Sequence, residues 1–586
     1  MCLPLSHSPG CPAGLQSRAL GLPRARMTQA AFWCAGPPAS SDRKLIKRSS
    51  VMLPLKEKDK PIIQKLLVAG CCARCILRFC CVGVQSAYRQ PEQVTLQEMQ
   101  AFVLKVENEK VQDPAAAAST GEDIRSHDAA EVLEGPPCKR VKLDPGNPAD
   151  SSEDEKSNLG ESQVCVACLG ILQDLCGTNQ AVKIADTVKA QKYEFDSLVL
   201  SISLPAQLCV REHSCWLHVK KEVREKGLVL DKDDVIQVKE AFKWIMQSLV
   251  AKELGGVAVV GKSGFEVGVE FTNPETDSDC HFLAKVCPDC FKPTKNKQSV
   301  FTRMAVVKAL EKISDDKFLK QYPCPPARPA CSCAPQDVQC LHVSVFIAGR
   351  YNKFCRSLPQ TPWLIDGERR MESSVEELIA APILTAFRAD GFNFSSSGRE
   401  DVDVRTLGNG RPFAMELQNP HRSRLSKLEM KELQETINKS SDKIRVRDLQ
   451  IVTREAMGRM KEGEEEKTKS YTALVWTQRP IRKEDIGFID EIKDLTLGQK
   501  TPLRVLHRRA LAVRQRVIHS MNARYVDDHH FYLRLKTQAG TYIKEFVHGD
   551  FGRTKPNLCE LLKTDTDILE LDVESVDVDW PPAIPE

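Results

Sequence analysis

The stretch SSSGREDVDVRTLGNGRPF, residues 395–413, carries the pattern on which the interpretation of this chain rests. Two of its acids, Asp401 and Asp403, are two positions apart and alternate with valine. Residues two apart in a β-strand point to the same face, so the pattern predicts that both carboxylates face one way. Three arginines surround the acids: Arg399, Arg405 and Arg411. A carboxylate among guanidinium groups stays ionised at neutral pH, as a nucleophile must, although a surface network of ion pairs would give the same pattern.

A second cluster lies in KTQAGTYIKEFVHGDFGRT, residues 536–554. The sequence predicts a strand that ends at a glycine turn and a helix that starts near Thr541, a suitable N-cap. Tyr542 and Lys544 would then lie at the helix start, where a ring and a cation can meet a bound base and an aspartate. The alternative is an ordinary helix start with one buried tyrosine.

The cysteines indicate a metal site. The chain has 23 cysteines and no continuous apolar stretch near its start that would act as a secretory signal, which favours reduced thiols over disulfides. Three pairs share the Cys-x-x-Cys spacing: Cys72/Cys75, Cys165/Cys168 and Cys287/Cys290. Two such pairs complete a closed, structural four-cysteine zinc site. We predict that Cys72, Cys75, Cys165 and Cys168 form it, and the third pair would then be buried thiols.

The segment GVAVVGKS, residues 256–263, matches the phosphate-loop pattern G-x-x-x-x-G-K-S. That motif binds phosphate only between a strand and a following helix. Here a helical pattern precedes it and the strand-like residues 265–271 follow, so we predict a loop and no nucleotide cosubstrate. A nucleotide hydrolase that uses Lys262 is the competing hypothesis.

The composition of the chain indicates several domains. It also indicates that any RNA-binding surface is formed by local clusters of basic residues rather than by the charge of the whole chain. The 586 residues are 42% hydrophobic, with a net charge of only +4, so the basic residues must be clustered if RNA is the partner. Candidate clusters are residues 504–509, Arg514, Arg516, Lys295, Lys297 and Arg303. No apolar run approaches the ~20 residues of a membrane span, so we expect no membrane partner.

Changes in composition divide the chain into five parts. They are an unstructured extension (1–51), a zinc-knuckle segment (52–106), a disordered acidic linker (107–162), an α/β domain (163–340) and a third region (341–586). Hydrophobic periodicity predicts strands at 197–204, 265–271, 343–348, 473–476, 531–535 and 568–573, and helices at 94–106, 235–249 and 425–437.

Two segments bear on localisation. The linker contains Lys139, Arg140 and Lys142, a basic cluster similar to monopartite nuclear-localisation signals, which an import receptor binds in extended form. Residues 1–51 are rich in Pro, Ser, Gly and Ala and have no acid before Asp42, as in mitochondrial transit segments. We expect a nuclear and cytoplasmic protein, with a mitochondrial location as the alternative.

The motifs together resemble those of the Pus-ten family, the archaeal and eukaryotic tRNA pseudouridine synthases that modify T-arm uridines. The resemblance covers residues 52–586 and is carried by residues 349–353, 358–363, 396–405 and 539–546. It implies an α+β protein. The C-terminal region would have the pseudouridine-synthase fold, a mixed and mainly antiparallel sheet with helices. The N-terminal region would be a zinc-binding, THUMP-containing α/β RNA-binding domain.

The resemblance also implies roles for individual residues. Asp401 would be the nucleophile, Tyr471 would stack on the target base, and Lys544 would pair with the aspartate. Arg399 would enter the space left by the flipped base, and Glu400 stands where other synthases have threonine. Catalysis would need no cofactor, zinc would be structural, and the substrate would be the tRNA T-arm or another structured RNA. The competing hypothesis is a non-catalytic RNA-binding factor on the same scaffold.

Overall fold

Separate hydrophobic cores support the two halves of the chain. The computed structural model describes residues 53–104, 163–225, 231–292, 300–462, 467–507 and 509–585. One core consists of residues between Leu53 and Cys340, and two others lie between Ile347 and Trp580. The linker, its basic cluster Lys139, Arg140 and Lys142, and residues 1–51 lie outside the described residues.

The N-terminal half is an α/β domain. Its helices are α1 (Lys60–Ala69), α2 (Ala73–Phe79), α3 (Glu92–Leu104), α4 (Thr178–Gln191), α5 (Gln207–Glu225), α6 (Val238–Glu253), α7 (His281–Val286), α8 (Arg303–Lys312) and α9 (Asp315–Gln321). Its strands are β1 (Ser197–Ser203), β2 (Ala258–Val259), β3 (Phe265–Thr272), β4 (Ala334–Pro335) and β5 (Gln339–His342). Strand β1 pairs in parallel with β2 and β3, and β3 pairs antiparallel with β4 and β5.

Residues 53–104 do not form a core of their own. Ile63, Leu66 and Ile76 from this segment lie in the same buried cluster as Leu198 and Phe271 of the sheet. The segments on either side of the linker therefore fold into one domain.

The C-terminal half contains a long mixed sheet. Its strands are β6 (Val345–Lys353), β7 (Leu364–Ile365), β8 (Glu368–Arg369), β9 (Gly391–Ser396), β10 (Arg405–Gln418), β11 (Ile444–Val452), β12 (Thr468–Thr477), β13 (Lys493–Lys500), β14 (Val513–Asp527), β15 (His530–Gln538), β16 (Thr554–Lys555) and β17 (Thr566–Val576). Its helices are α10 (Val375–Phe387), α11 (Lys427–Ser440), α12 (Arg454–Lys461), α13 (Lys483–Ile486), α14 (Ile543–His548) and α15 (Leu558–Leu562).

The main sheet has the order β11-β6-β10-β17-β12-β15-β14-β13-β16, with β9 beside β10, while β7 and β8 form a separate hairpin. Strands β10 and β17 pair in parallel, and the other pairs within the sheet are antiparallel. The predicted mixed, mainly antiparallel sheet with helices is confirmed.

Alternation along β10 explains why both faces of the sheet are covered. Phe413 and Met415 pack in a core with Ile379 and Leu433 of α10 and α11. Ala414, which points the other way, packs in the core that contains Phe546 of α14. Helix α14 thus lies on one face of the sheet, close to the loop that precedes β10.

Several predicted boundaries differ from the structure by a few residues. The helix predicted over 235–249 begins only at Val238, because residues Lys232–Asp234 form a short 3-10 helix in which Asp231 serves as N-cap. The strand predicted over 343–348 runs from Val345 to Lys353. Its last residues include polar side chains that are buried by tertiary contacts, which hydrophobic periodicity does not reveal.

We expect Arg350→Met to destabilise the C-terminal half. The buried Arg350 guanidinium donates five hydrogen bonds to carbonyls of residues 409, 410, 576, 578 and 580. Methionine leaves these carbonyls without that donor, so the free energy of unfolding should fall by about 3 kcal/mol. Denaturant melts would measure the loss. The matched control is Arg534→Met at an exposed position of β15, and equal effects of the two changes would contradict the prediction.

Candidate active site

The acidic motif lies in a turn and not in a strand. Strand β9 ends at Ser396 and β10 begins at Arg405, and the Val404 amide donates to the Asp401 carbonyl at 3.1 Å, closing a turn. The prediction that Asp401 and Asp403 share one face of a strand is therefore wrong. The valine alternation resembles a strand locally, but the chain must reverse here to join two antiparallel strands.

Glu400 is the buried member of the motif. Its carboxylate lies 2.7 Å from Nε of Arg411 and accepts hydrogen bonds from the Tyr351 hydroxyl at 2.8 and 2.9 Å. Gln360 also donates to it at 3.4 Å. The residue that replaces the usual threonine thus has a complete set of partners of its own, provided by β6, β10 and the 358–363 motif.

Lys353 binds the backbone of the nucleophile turn. Its side chain is fully buried, and Nζ donates to the carbonyls of Asp401 at 3.1 Å, Val402 at 2.8 Å and Leu358 at 2.8 Å. Three acceptors satisfy the three N–H groups of an ammonium. The turn is therefore held by a side chain from β6 rather than by its own hydrogen bonds alone.

The Asp401 carboxylate is held by Arg504. Nη1 of Arg504 donates to the two carboxylate oxygens at 3.1 and 2.8 Å, and Nε donates to Glu545 at 2.6 Å. Asp401 is partly exposed, with 32% of its side chain accessible, so it can still meet a substrate.

Lys544 pairs mainly with Asp403. Its Nζ lies 2.6 Å from an Asp403 oxygen and 3.6 Å from the nearest oxygen of Asp401. The hydrogen bond from Lys544 lowers the pKa of Asp403 even though burial raises it. The cation that hydrogen-bonds Asp401 is Arg504, so Lys544 lies beside the predicted nucleophile without being its main partner.

The three arginines of the motif do not surround Asp401 as predicted. Arg405 forms a bidentate pair with Asp572 of β17 at 2.8 and 2.5 Å, and Arg411 pairs with Glu400. Arg399 is exposed at the cleft wall. Strand alternation and parallel pairing of β10 with β17 direct Arg405 and Arg411 to different partners.

A cleft of about 650 Å³ opens at Asp401. The sequence-predicted residues Arg399, Asp401, Tyr471, Tyr542 and Lys544 all line it. Burial raises the pKa of Tyr471, so this ring stays neutral. Helix α14 begins at Ile543 with Tyr542 as N-cap, whereas the predicted cap Thr541 donates its hydroxyl to the Gln538 carbonyl at 2.7 Å.

Cations dominate the cleft wall. Eight basic side chains line it: Arg399, Arg411, Lys469, Arg504, Arg509, Arg514, Arg516 and Lys544. Only Glu400 and Asp401 are acidic among the lining residues. The sequence identified Arg504 only as part of a basic run that contacts RNA backbone. Lys353 and Glu545 lie in the motifs of residues 349–353 and 539–546, but the sequence assigned them no role, because their partners lie far away along the chain.

The four predicted cysteines meet in the N-terminal half. The sulfur atoms of Cys72, Cys75, Cys165 and Cys168 all lie within 4.8 Å of one another and are buried. The Cys72 amide donates to Cys165 Sγ at 3.2 Å, and the Leu172 amide donates to Cys168 Sγ at 3.4 Å. A tetrahedral metal with four thiolate ligands fits this donor set.

The other candidate sites fall elsewhere. Cys287 and Cys290 are only partly buried and belong to no such metal-ligand group within the described residues. The phosphate-loop pattern contains the two-residue strand β2, so it is not a loop throughout as predicted; β3 rather than a helix follows it, and Ser263 donates to the Ser197 carbonyl at 2.7 Å. Lys295 and Lys297 lie outside the described residues. No described helix is long and apolar enough to cross a bilayer.

Comparisons with known proteins give the family. The family model "Eukaryotic Pus10, N-terminal" matches residues 165–340, and "Pus10, C-terminal" matches residues 346–577. The tRNA pseudouridine synthase Pus10 of Mus musculus is 58% identical over 547 residues, covering 91% of this chain and 100% of that protein. The chain belongs to the Pus10 family. The Pus10 of Homo sapiens is 58% identical over 536 residues, again covering 91% of this chain and 100% of that protein.

The two Pus10 family matches meet where the fold changes. The boundary between them lies between β5, which ends at His342, and β6, which begins at Val345. All residues that line the Asp401 cleft fall within the C-terminal match. Among solved structures, the crystal structure of a Cbf5–Nop10–Gar1 complex is 15% identical with a TM-score of 0.22, covering 39% of this chain and 48% of that chain.

We expect the rate of uridine isomerisation to fall when the Lys353 ammonium loses its proton. Burial lowers the pKa of Lys353 from 10.5 to about 8. Between about pH 8 and 10.5 the Lys353 amine is neutral in the folded protein but still protonated in the unfolded chain. The contribution of this group to the free energy of unfolding therefore rises with pH over that range. The isomerisation rate should instead fall as the pH rises, because the neutral Lys353 amine has only two N–H groups for the three carbonyls that it binds.

The measurement is kcat as a function of pH for the wild type and Lys353→Met. The wild type should lose kcat as the pH rises through about 8. The variant should have a low kcat without this alkaline descent. Identical alkaline profiles would assign the descent to another group and contradict the prediction.

Proposed function

We propose that this protein isomerises uridine to pseudouridine in the T-arm of tRNA, with Asp401 as the nucleophile. The observation that carries the proposal is the Asp401 carboxylate, which is held by Arg504 and lines a cleft whose wall is mostly basic. Membership in the Pus10 family supports the reaction and the tRNA substrate. The arm of the tRNA is inferred from the motif resemblance alone.

The cleft has the charge that RNA needs. Eight basic side chains and only two acidic ones line the cleft, which gives it a positive potential. This potential attracts the phosphates of RNA and raises the rate at which RNA associates with the protein. Arg514 and Arg516 come from β14, and Arg509 comes from the loop before it. The RNA backbone would therefore pass along this side of the cleft.

The target uridine must leave its base stack to reach Asp401, which costs a few kcal/mol. Tyr471, which lines the cleft, would stack on the flipped base, and Tyr542, which lines the cleft at the start of α14, would contact the substrate as well. Arg399, exposed at the rim, would occupy the place that the base leaves.

The chemistry is balanced without a cosubstrate. The Asp401 carboxylate attacks the nucleotide, either at the sugar C1′ or at the base ring, and the N-glycosidic bond breaks. The uracil rotates, C5 bonds to C1′, the C5 proton leaves to solvent, and N1 takes up a proton from solvent as the carboxylate is released. Substrate and product have the same composition.

The N-terminal half would bind RNA through a THUMP-containing module that a structural zinc ion stabilises. Burial raises the pKa of the Cys72 and Cys75 thiols, so thiolates in this site need a cation to stay ionised. A closed four-cysteine site leaves no open position for catalysis. The zinc would join the segments before and after the acidic linker.

For localisation we infer a nuclear and cytoplasmic protein. Lys139, Arg140 and Lys142 would bind an import receptor, because they form the kind of short basic cluster that such receptors recognise. A mitochondrial fraction directed by residues 1–51 is the alternative that fractionation of cells expressing the tagged full chain would reveal.

Asp401→Ala should abolish pseudouridine formation, measured as tritium release from 5-tritiated uridine in unmodified tRNA transcripts. The variant loses the nucleophile but keeps the cations of the cleft, so its affinity for tRNA should stay within about threefold of the wild type. Asp403→Ala is the matched control and should retain activity. Loss of activity only in Asp403→Ala would move the nucleophile, and no activity in any form with intact binding would favour a non-catalytic RNA-binding protein.

The T-arm assignment is tested by mapping pseudouridine along a full-length transcript. We expect the modified position to lie in the T-arm, and a transcript with cytidine in place of each T-arm uridine should release no tritium. Modification confined to the anticodon or D-arm would contradict the assignment while leaving the reaction itself unaffected.

Zinc content should depend on the four clustered cysteines. We expect about one zinc ion per wild-type chain, none in Cys165→Ser/Cys168→Ser, and a lower melting temperature for that variant. Cys287→Ser/Cys290→Ser is the matched control and should keep its zinc. Full zinc content in the first variant by metal analysis would show that these four thiols are not the ligands.

A further inference from the structure

We propose that Arg504 and Glu545 act as a positioning pair that orients the Asp401 carboxylate, while Asp403 keeps Lys544 away from that role. The inference rests on the proposed function, since it concerns how the nucleophile of that reaction is held. It assigns the orienting cation to a loop between β13 and β14 rather than to the helix that carries Lys544.

The guanidinium of Arg504 is bound on both sides. Nη1 lies against the two oxygens of Asp401 at 3.1 and 2.8 Å. Nε and Nη2 donate to the two oxygens of Glu545 at 2.6 and 3.4 Å. A planar guanidinium offers its donors in a fixed arrangement, so the position of Glu545 sets the orientation of the group that faces Asp401.

Glu545 is suited to act as the fixed partner. Only 2% of its side chain is accessible, and it lies in the first turn of α14, where a carboxylate is favoured by the helix dipole. Arg504 and Asp401 are far more accessible, at 37% and 32%. The chain of ion pairs therefore begins in the protein interior and ends at the residue that meets the substrate.

The loop that carries Arg504 is fixed at its base. The Thr501 hydroxyl donates to the Ala510 carbonyl at 2.7 Å, and the Thr501 amide donates to the Ala512 carbonyl at 2.9 Å. The Leu503 amide donates to the buried Asp550 carboxylate at 3.3 Å. The backbone immediately before Arg504 is thus held by these hydrogen bonds. They place the Arg504 side chain where its guanidinium can contact Asp401.

Lys544 has its own partner. Two hydrogen bonds of 2.8 and 2.6 Å tie its Nζ to Asp403, and its separation from Asp401 is 3.6 Å. A lysine ammonium is a point charge on a flexible stem and does not fix the plane of a carboxylate. Without Arg504, Asp401 would keep a nearby positive charge but lose the group that sets its orientation.

The test compares Arg504→Ala with Arg509→Ala under steady-state conditions on unmodified tRNA. Both changes remove one arginine of the same loop from the cleft wall. Arg504→Ala should lower kcat about 10²-fold, the effect of a misplaced reacting group, with little change in KM. Arg509→Ala should raise KM without a comparable loss of kcat. Millimolar methylguanidinium should restore part of the kcat of Arg504→Ala and leave Arg509→Ala unaffected.

The role of Glu545 is tested in a double-mutant cycle. Glu545→Gln should lower kcat in the wild-type background and have no further effect in the Arg504→Ala background, because the two residues act as a unit. Thermal melts would show whether the Glu545→Gln protein is folded. If it is not, the proposal is decided by whether methylguanidinium restores the kcat of Arg504→Ala.

Three results would overturn the proposal. They are an effect of Arg504→Ala on KM alone, as for Arg509→Ala, the absence of rescue by methylguanidinium, and additive effects in the double-mutant cycle. The failure of the proposed function is recognised separately, because it appears as full activity in Asp401→Ala or as no activity in the wild type. An active Asp401→Ala protein and an Arg504→Ala effect confined to KM are therefore distinct outcomes.

Discussion

The buried ion pair between Glu400 and Arg411 is the interaction on which the rest of the site depends. Both side chains are almost inaccessible, at 0% and 3%, and they join the turn before β10 to the strand itself. Removing one charge from such a pair leaves the other uncompensated in the interior, at a cost of about 3–5 kcal/mol. The Tyr351 hydroxyl donates to the same carboxylate, within 2.8 and 2.9 Å of its two oxygens, so β6 is joined to this pair as well.

Asp401 follows Glu400 directly, and its position is therefore determined from three directions. The buried pair fixes the preceding residue, Lys353 binds the backbone carbonyl of Asp401, and Arg504 binds its carboxylate. A nucleophile in a turn has few hydrogen bonds of its own and needs such support to keep one orientation. The glutamate at this position thus has a structural consequence, since the threonine that the motif resemblance places here in other synthases could not form an ion pair with Arg411.

Sequence reasoning predicted the sheet architecture, the four clustered cysteines and the residues that line the cleft, because each depends on a local motif or a family resemblance. It failed where the deciding contact is distant in sequence. Arg504 is 103 residues from Asp401, and nothing in the basic run distinguishes it from its neighbours. The valine alternation at Asp401 and Asp403 satisfies the strand pattern, yet the antiparallel pairing of β9 and β10 requires a reversal there.

The most direct test of this account is the single-turnover rate of isomerisation by Glu400→Gln at saturating enzyme. Glutamine keeps the shape of the side chain and removes its charge. The account predicts a rate constant lower by about 10²-fold with tRNA affinity within about threefold of the wild type, because the turn is displaced while the basic cleft wall is retained. Glu432→Gln, at an exposed position of α11, serves as the matched control. A folded Glu400→Gln protein that reacts at the wild-type rate would contradict the account.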